Sequence, residues 1–239
     1  MVVEERFFVG YQYSGPDFKI TNTSLLRLFE DMACYHGALA GEDIRTSPTA
    51  WLLTAYKVVV KKRPEYNQRI KVRTWSRECR NFFACREFEI IDESGELLVC
   101  AITEWAHYNK VENRLEKVTP ELAEAYCSEP DRTNFGPFRI KRLHESDDFK
   151  VSECFTVAKN WIDTNNHMNN VYYLDLAEMM AEETLGKSVS SDEFEIFYRQ
   201  QIKCGETVLC HVSESNDGVL VSVLSKDEKT LHAQINLKK

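Results

Sequence analysis

Residues 22–41, NTSLLRLFEDMACYHGALAG, place Leu25, Leu28, Met32, Tyr35 and Leu39 at steps of three and four, the spacing that gives a helix one buried face. Asn22 or Thr23 is positioned to cap its start, and Gly37 or Gly41 to end it. The period then changes. WLLTAYKVVVKKRP is β-branched and stops at Pro64, and QRIKVRTW alternates Ile70, Val72 and Thr74 with Lys71 and Arg73, which predicts a strand with one wet face. FFACREFEII and ELLVCAITEWAHY read as two long strands around a turn at Asp92–Gly95.

The second half repeats this order. ECFTVAKNWID is a strand candidate and NNVYYLDLAEMMAEETLG a helix. FEIFYRQQIKCGETVLCHVSE gives two strands about a turn at Cys204–Thr207, and GVLVSVLSKDEKTLHAQINL a hairpin about Asp227–Lys229. The repeat length is about 140 residues, weak in identity but consistent in element order. CSEPDRTNFGPFRIKRLHESDDF, with prolines, glycine and no clean period, reads as the linker. The chain is therefore expected to be α+β: a first domain over 1–126, a linker over 127–149 and a second domain over 150–239, each an antiparallel sheet wrapped around one long helix.

Composition narrows the function. The 239 residues are 43% hydrophobic and 28% charged, an ordinary globular balance. A net charge of −8 argues against general nucleic-acid binding, which needs a positive surface. The eight cysteines include no C-x-x-C pair and no Cys/His cluster at zinc spacing. The first residues, MVVEERFFVGYQ, lack an apolar signal core, and no run approaches the ~20 apolar residues that span a bilayer. The expectation is a soluble, cytoplasmic protein without membrane or nucleic-acid partners.

The chemistry concentrates in NWIDTNNHMNN, residues 160–170, directly before the second helix. If 163–167 are extended, Asp163, Asn165 and His167 share a face. Asn169 or Asn170 then caps a helix whose first amides are free to polarise a carbonyl or hold an oxyanion. An acid, an imidazole and an amide beside such amides suit acyl transfer to water, with the histidine or the carboxylate as base. The same residues also suit a plain turn and helix cap. No metal site is expected, because Asp163 and His167 have no second histidine or cysteine at ligand spacing. G-x-S-x-G, P-loop and dinucleotide motifs are missing from the sequence, which has only nine glycines.

D-x-N-x-H-x-N-N-x-x-Y, from Asp163 to Tyr173, resembles the active-site motif of the acyl-ACP thioesterases, the plant fatty-acyl chain terminators and their bacterial relatives. LFEDMACYHG, Trp51, VVVKKRP, VRTW, IIDESGE and PEL follow in that family's order, so the resemblance covers nearly the whole chain. It implies two tandem hotdog domains, hydrolysis of the thioester between a fatty acyl chain and acyl carrier protein, and no cofactor. It also implies that the first repeat shapes the acyl pocket and the second carries Asp163, Asn165 and His167 as catalytic residues. Asn169, Asn170 and Gln201 are the expected positioning residues. One departure stands out: the family's usual glutamate falls on Gln201, which can bind a water but cannot take its proton.

An acidic carrier protein needs a basic surface. Lys61, Lys62, Arg63, Arg69, Lys71, Arg73, Arg139, Lys141 and Arg142 are the candidates, though alternating cations also simply keep a strand face wet. Two other readings fit the same residues: an acyl-CoA thioesterase of this fold, and a non-catalytic acyl-binding module in which Gln201 marks lost chemistry. The internal repeat supplies a pair within one chain, so a homodimer is allowed but not required.

Overall fold

The computed structural model describes residues 1–136, 143 and 147–239 and resolves into two compact units, Met1–Arg139 and Ile140–Lys239. In chain order the first contains β1 (Val3–Phe8), α1 (Asn22–Leu39), β2 (Thr49–Val60), β3 (Arg69–Arg80), β4 (Phe83–Asp92), β5 (Leu97–Asn109), the two-residue β6 (Arg114–Leu115) and α2 (Pro120–Ala125). The second contains the short β7 (Lys150–Val151) and β8 (Phe155–Thr156), then α3 (Tyr172–Leu185), β9 (Glu193–Tyr198), β10 (Thr207–Ser215), β11 (Gly218–Ser225) and β12 (Leu231–Lys238).

Among the described residues the first sheet is antiparallel in the order β1-β3-β4-β5-β2, with α1 packed on β3 and β1. The second runs β9-β12-β11-β10, with β7 and β8 both on the outer side of β10, and α3 lies against β10, β11 and β12. The four strands after each helix thus stack in the same order, the first of them last, as the internal repeat requires. Each unit is a sheet on one long helix, the hotdog arrangement and α+β class expected.

The alternation in β3 is realised: Ile70, Val72 and Thr74 are buried while Lys71 and Arg73 face outward to Glu4 of β1. Irregular register at Ser76/Glu78 between β3 and β4, and at Leu53/Ala55 between β2 and β5, adds the local twist that curls a long strand around a helix. The β4–β5 turn forms as read. Asp92 Oδ1 accepts from the amides of Ser94 and Glu96, both at 2.9 Å, and Gly95 takes the left-handed φ of +92°.

Three expectations shift. The N-cap of α1 is Thr21, which accepts from the Ser24 amide at 3.2 Å; Asn22 accepts instead from Arg63 Nη2 at 3.0 Å. Leu25, Leu28 and Met32 are buried as expected, but Tyr35 and Leu39 are 42% and 52% exposed, and His36 and Gly37 take the inward positions. A helix turning 100° per residue carries Tyr35 to the edge of the stripe that Leu25, Phe29, Met32 and His36 follow. The strand expected over 153–163 is only β8; a 3₁₀ turn at Lys159–Trp161 follows, with the Trp161 ring stacked 4.9 Å from both Phe155 and Tyr172.

Residues 128–136, read as linker, pack on the first unit. The carbonyl of Arg132 accepts from Trp75 Nε1 at 2.9 Å, and its guanidinium carbon stands 4.4 Å from the Trp75 ring centre. The fully buried Glu87 carboxylate accepts from Thr133 Oγ1 at 2.6 Å and the Asn134 amide at 2.7 Å, and lies 3.3 Å from Arg77 Nη1.

Candidate active site

Asp163, Asn165 and His167 are brought together by a tight turn rather than by an extended strand. Ile162 and Met168 bridge antiparallel, Asp163 N donates to the His167 carbonyl at 2.9 Å, and Asn166 N donates back to the Asp163 carbonyl at 3.2 Å. Asn166 pays the left-handed φ of +63° that closes the turn, a conformation asparagine tolerates better than most residues. The reversal puts Asp163 and His167 side by side.

The Asp163 carboxylate is held on both oxygens by Asn165: the backbone amide reaches Oδ1 at 2.8 Å and Nδ2 reaches Oδ2 at 3.2 Å. His167 Nδ1 lies 3.9 Å from Asp163 Oδ1 and 3.2 Å from the Met168 carbonyl. A carbonyl only accepts, so Nδ1 carries the proton and Nε2 keeps its lone pair. The two side chains are 14% and 13% exposed, shielded but reachable; Asn165 is exposed.

The turn is anchored from below. Met168, fully buried, donates its amide to Ile202 at 2.7 Å, and Asn169 donates to Trp161 at 2.9 Å. Asn169 Oδ1 then accepts from the Val171 amide at 2.9 Å, which makes it the cap of α3 in function. The amides of Tyr172, Tyr173 and Leu174 are also engaged, by carbonyls three residues back. The expectation of several free amides is therefore corrected: among the described residues, Asn170 N–H is the one at this terminus that meets no acceptor.

Two tyrosines to which the sequence reading gave no role complete the setting. Tyr198, at the end of β9, donates to the Asn170 carbonyl at 3.0 Å. Tyr173 is buried, stands edge-on to Tyr198 at 5.4 Å, and donates to the Gln200 carbonyl at 3.4 Å. Burial pushes its hydroxyl far up, with Glu206 and Asp163 adding in the same direction, so it stays protonated. The aromatic positions were visible in VYY and FYR, but their pairing across 25 residues was not.

Gln201 is exposed and makes no hydrogen bond among the described residues. Glu206 lies in the turn before β10, where its carboxylate accepts from the Lys203 amide at 2.8 Å. Three of the six cations expected as a basic patch on the first unit face carboxylates, and a fourth bonds a carbonyl. Lys62 pairs with Glu96 at 2.9 Å, Arg73 with Glu4 at 2.5 Å and Lys71 with Glu4 at 3.8 Å, and Arg63 donates to the Ile20 carbonyl at 2.9 Å. Lys61 and Arg69 remain exposed; Arg139, Lys141 and Arg142 lie outside the described residues. No cluster of three metal-ligating side chains occurs among the described residues.

The chain matches the model of the acyl-ACP thioesterase N-terminal domain over residues 1–126 and that of the C-terminal domain over 144–239. A chloroplastic acyl-[acyl-carrier-protein] hydrolase of Cuphea viscosissima is 29% identical over 232 residues, covering 89% of this chain and 52% of that protein. A chloroplastic palmitoyl-acyl carrier protein thioesterase of Gossypium hirsutum is 25% identical over 243 residues, covering 93% and 58%. The chain thus spans little more than half the length of these relatives. An acyl-ACP thioesterase from Bacteroides thetaiotaomicron superposes with a TM-score of 0.84 at 18% identity, covering 99% of this chain and 97% of that chain. The 12:0-ACP thioesterase from Umbellularia californica gives 0.81 at 16%, covering 99% and 96%. At such identities these two establish a shared fold. Matched in both halves by the family's own domain models, the chain belongs to the acyl-ACP thioesterase family.

Proposed function

We propose that this chain hydrolyses the thioester between a fatty acyl chain and the phosphopantetheine arm of acyl carrier protein, releasing free fatty acid in fatty acid biosynthesis. The observation that carries the reading is the His167 ring, fixed at Nδ1 by the Met168 carbonyl, flanked by the Asp163 carboxylate and left with a basic Nε2. The family membership supports it.

In this mechanism His167 Nε2 takes a proton from water as the water oxygen bonds to the thioester carbon. The carbonyl electron pair moves to oxygen, and the oxyanion is held by Asn170 N–H at the start of α3. Collapse restores the carbonyl and breaks the C–S bond, and the leaving thiolate takes the proton back from His167. Asp163 stabilises the imidazolium between these steps, Asn165 fixes Asp163, and Asn169 shapes the turn that presents Asn170. Gln201 has the place of an exposed water-binding amide, not of a base. The first unit has the role of housing the acyl chain, and no cofactor enters.

Free-thiol release from acyl carrier proteins of graded chain length, with the same acyl chains on coenzyme A, tests the proposal. Turnover with higher kcat/KM on the protein carrier is expected. Higher kcat/KM on coenzyme A would make this an acyl-CoA thioesterase. Tight acyl binding with no release from either would make it a binding module.

A further inference from the structure

The first unit buries a cation with no carboxylate against it. Arg86, on β4 and 7% exposed, makes its hydrogen bonds through Nη1 alone, to His36 Nδ1 of α1 at 2.8 Å and Thr74 Oγ1 of β3 at 3.1 Å. Among the described residues its Nε and Nη2 donate to nothing, and no acidic side chain forms an ion pair with it. Glu42, whose charge acts on Arg86, is occupied by Trp51 Nε1 at 2.7 Å and by the Tyr126 hydroxyl. The Tyr126 ring, 5.7 Å from the guanidinium carbon, offers only its face. The Cys34 and Cys79 thiols also act on Arg86, but desolvation pushes both up to about 11, exposed though Cys34 is on its outer side, so neither supplies an anion.

His36 adds a second unmet donor. An arginine N–H only donates, so His36 Nδ1 accepts and the ring proton sits on Nε2. Burial, with the Arg86 charge, pushes the ring down to about 4 and keeps it neutral. Nε2 is buried and forms no hydrogen bond; the Tyr126 carbonyl is near it without reaching bonding geometry. Donors therefore outnumber acceptors in this cluster, and the unmet one at His36 Nε2 is shut off from solvent, where an unmet polar group is costly. The open positions on Arg86, Nε–H and one Nη2–H, run parallel and form the fork that takes a carboxylate with two hydrogen bonds.

We propose that Arg86 and His36 form a subsite for an oxygen-bearing group on the acyl chain remote from the thioester, a carboxylate above all. This rests on the reading that the first unit houses the acyl chain, and it narrows the substrate class from plain alkyl chains to chains with a polar far end. A methyl end leaves both donors unmet; a carboxylate satisfies the fork and neutralises the guanidinium.

The test compares acyl carrier proteins loaded with chains of equal length ending in methyl or in carboxylate. The ratio of kcat/KM, carboxylate over methyl, should fall roughly tenfold or more in Arg86→Met, as expected for loss of hydrogen bonds to a charged group, and less in Arg86→Lys. A ratio that neither variant moves overturns the subsite and leaves a water-filled structural cluster. Calorimetry on the wild type needs neither folded variants nor turnover. A free dicarboxylic acid should bind about tenfold tighter than the monocarboxylic acid of equal length. Equal binding overturns the subsite even if thioesters are hydrolysed, and tighter binding without hydrolysis upholds it while the hydrolase reading fails.

Discussion

The Met168 amide and the Ile202 carbonyl meet at 2.7 Å, both residues fully buried, and this one hydrogen bond ties the turn carrying Asp163 and His167 to the stretch that follows β9. The chemistry proposed for the site depends on it, because it sets the height at which the Met168 carbonyl receives the His167 ring.

His167→Ala should lower kcat by roughly two to four orders of magnitude, the range of a lost general base, while the denaturation midpoint stays near the parental value. Asp163→Asn should cost less, because it removes the charge that stabilises the imidazolium but leaves the base itself in place. Steady-state kinetics and a denaturant titration on the same preparations check both. Parental rates in both variants would remove the site from the mechanism.

Gln201→Ala should change kcat less than about threefold, since the side chain is exposed and unbonded and its loss is worth no more than ~0.5 kcal/mol. A hundredfold loss would instead give Gln201 a direct part in the reaction.

Asn169→Ala removes the acceptor of the Val171 amide and should destabilise the protein by about 1 kcal/mol, with a matching loss of α3 helicity by circular dichroism. Asn169→Asp keeps the acceptor and should restore most of the midpoint.

These positions show how far the sequence could be read. TNNH is a strong turn signal, and Asn166 at positive φ is the residue that uses it; the extended reading failed because it weighed side-chain alternation above turn chemistry. The three residues still come together, since a tight reversal sets Asp163 beside His167 as an extended segment would have aligned them. The helices and long strands followed from period alone. What stayed hidden was long-range pairing: nothing near KVRTW announces that Glu4, 67 and 69 residues away, pairs with both Lys71 and Arg73, or that Tyr198 reaches Asn170.

Glu87→Ala should destabilise the protein by roughly 3–5 kcal/mol, because it strands the Arg77 charge and the donors of Thr133 and Asn134. The denaturation midpoint measures it, and a shift below about 1 kcal/mol would mean that water replaces the carboxylate.

Acid should weaken the first unit through His36. Its ring titrates at about 4 when folded against an ordinary 6.5, held down by burial and by Arg86, so between those values the unfolded chain takes up a proton that the folded chain refuses. Stability is whole above pH 6.5 and is lost as the pH falls toward 4, by up to roughly 3 kcal/mol. Melting curves across that window should be flatter for His36→Gln, which keeps an acceptor for Arg86. Identical slopes would assign the acid loss to other groups.

The clasp of Glu87 on Thr133 and Asn134 also decides where this molecule can be cut and rejoined. The N-terminal domain match ends at residue 126, but a junction placed there in a chimera with a relative would part a fully buried carboxylate from its donors and lift Arg132 off the Trp75 indole. The transplantable half runs on through residue 136, and grafts made at that point keep the charge of the transplanted sheet accounted for.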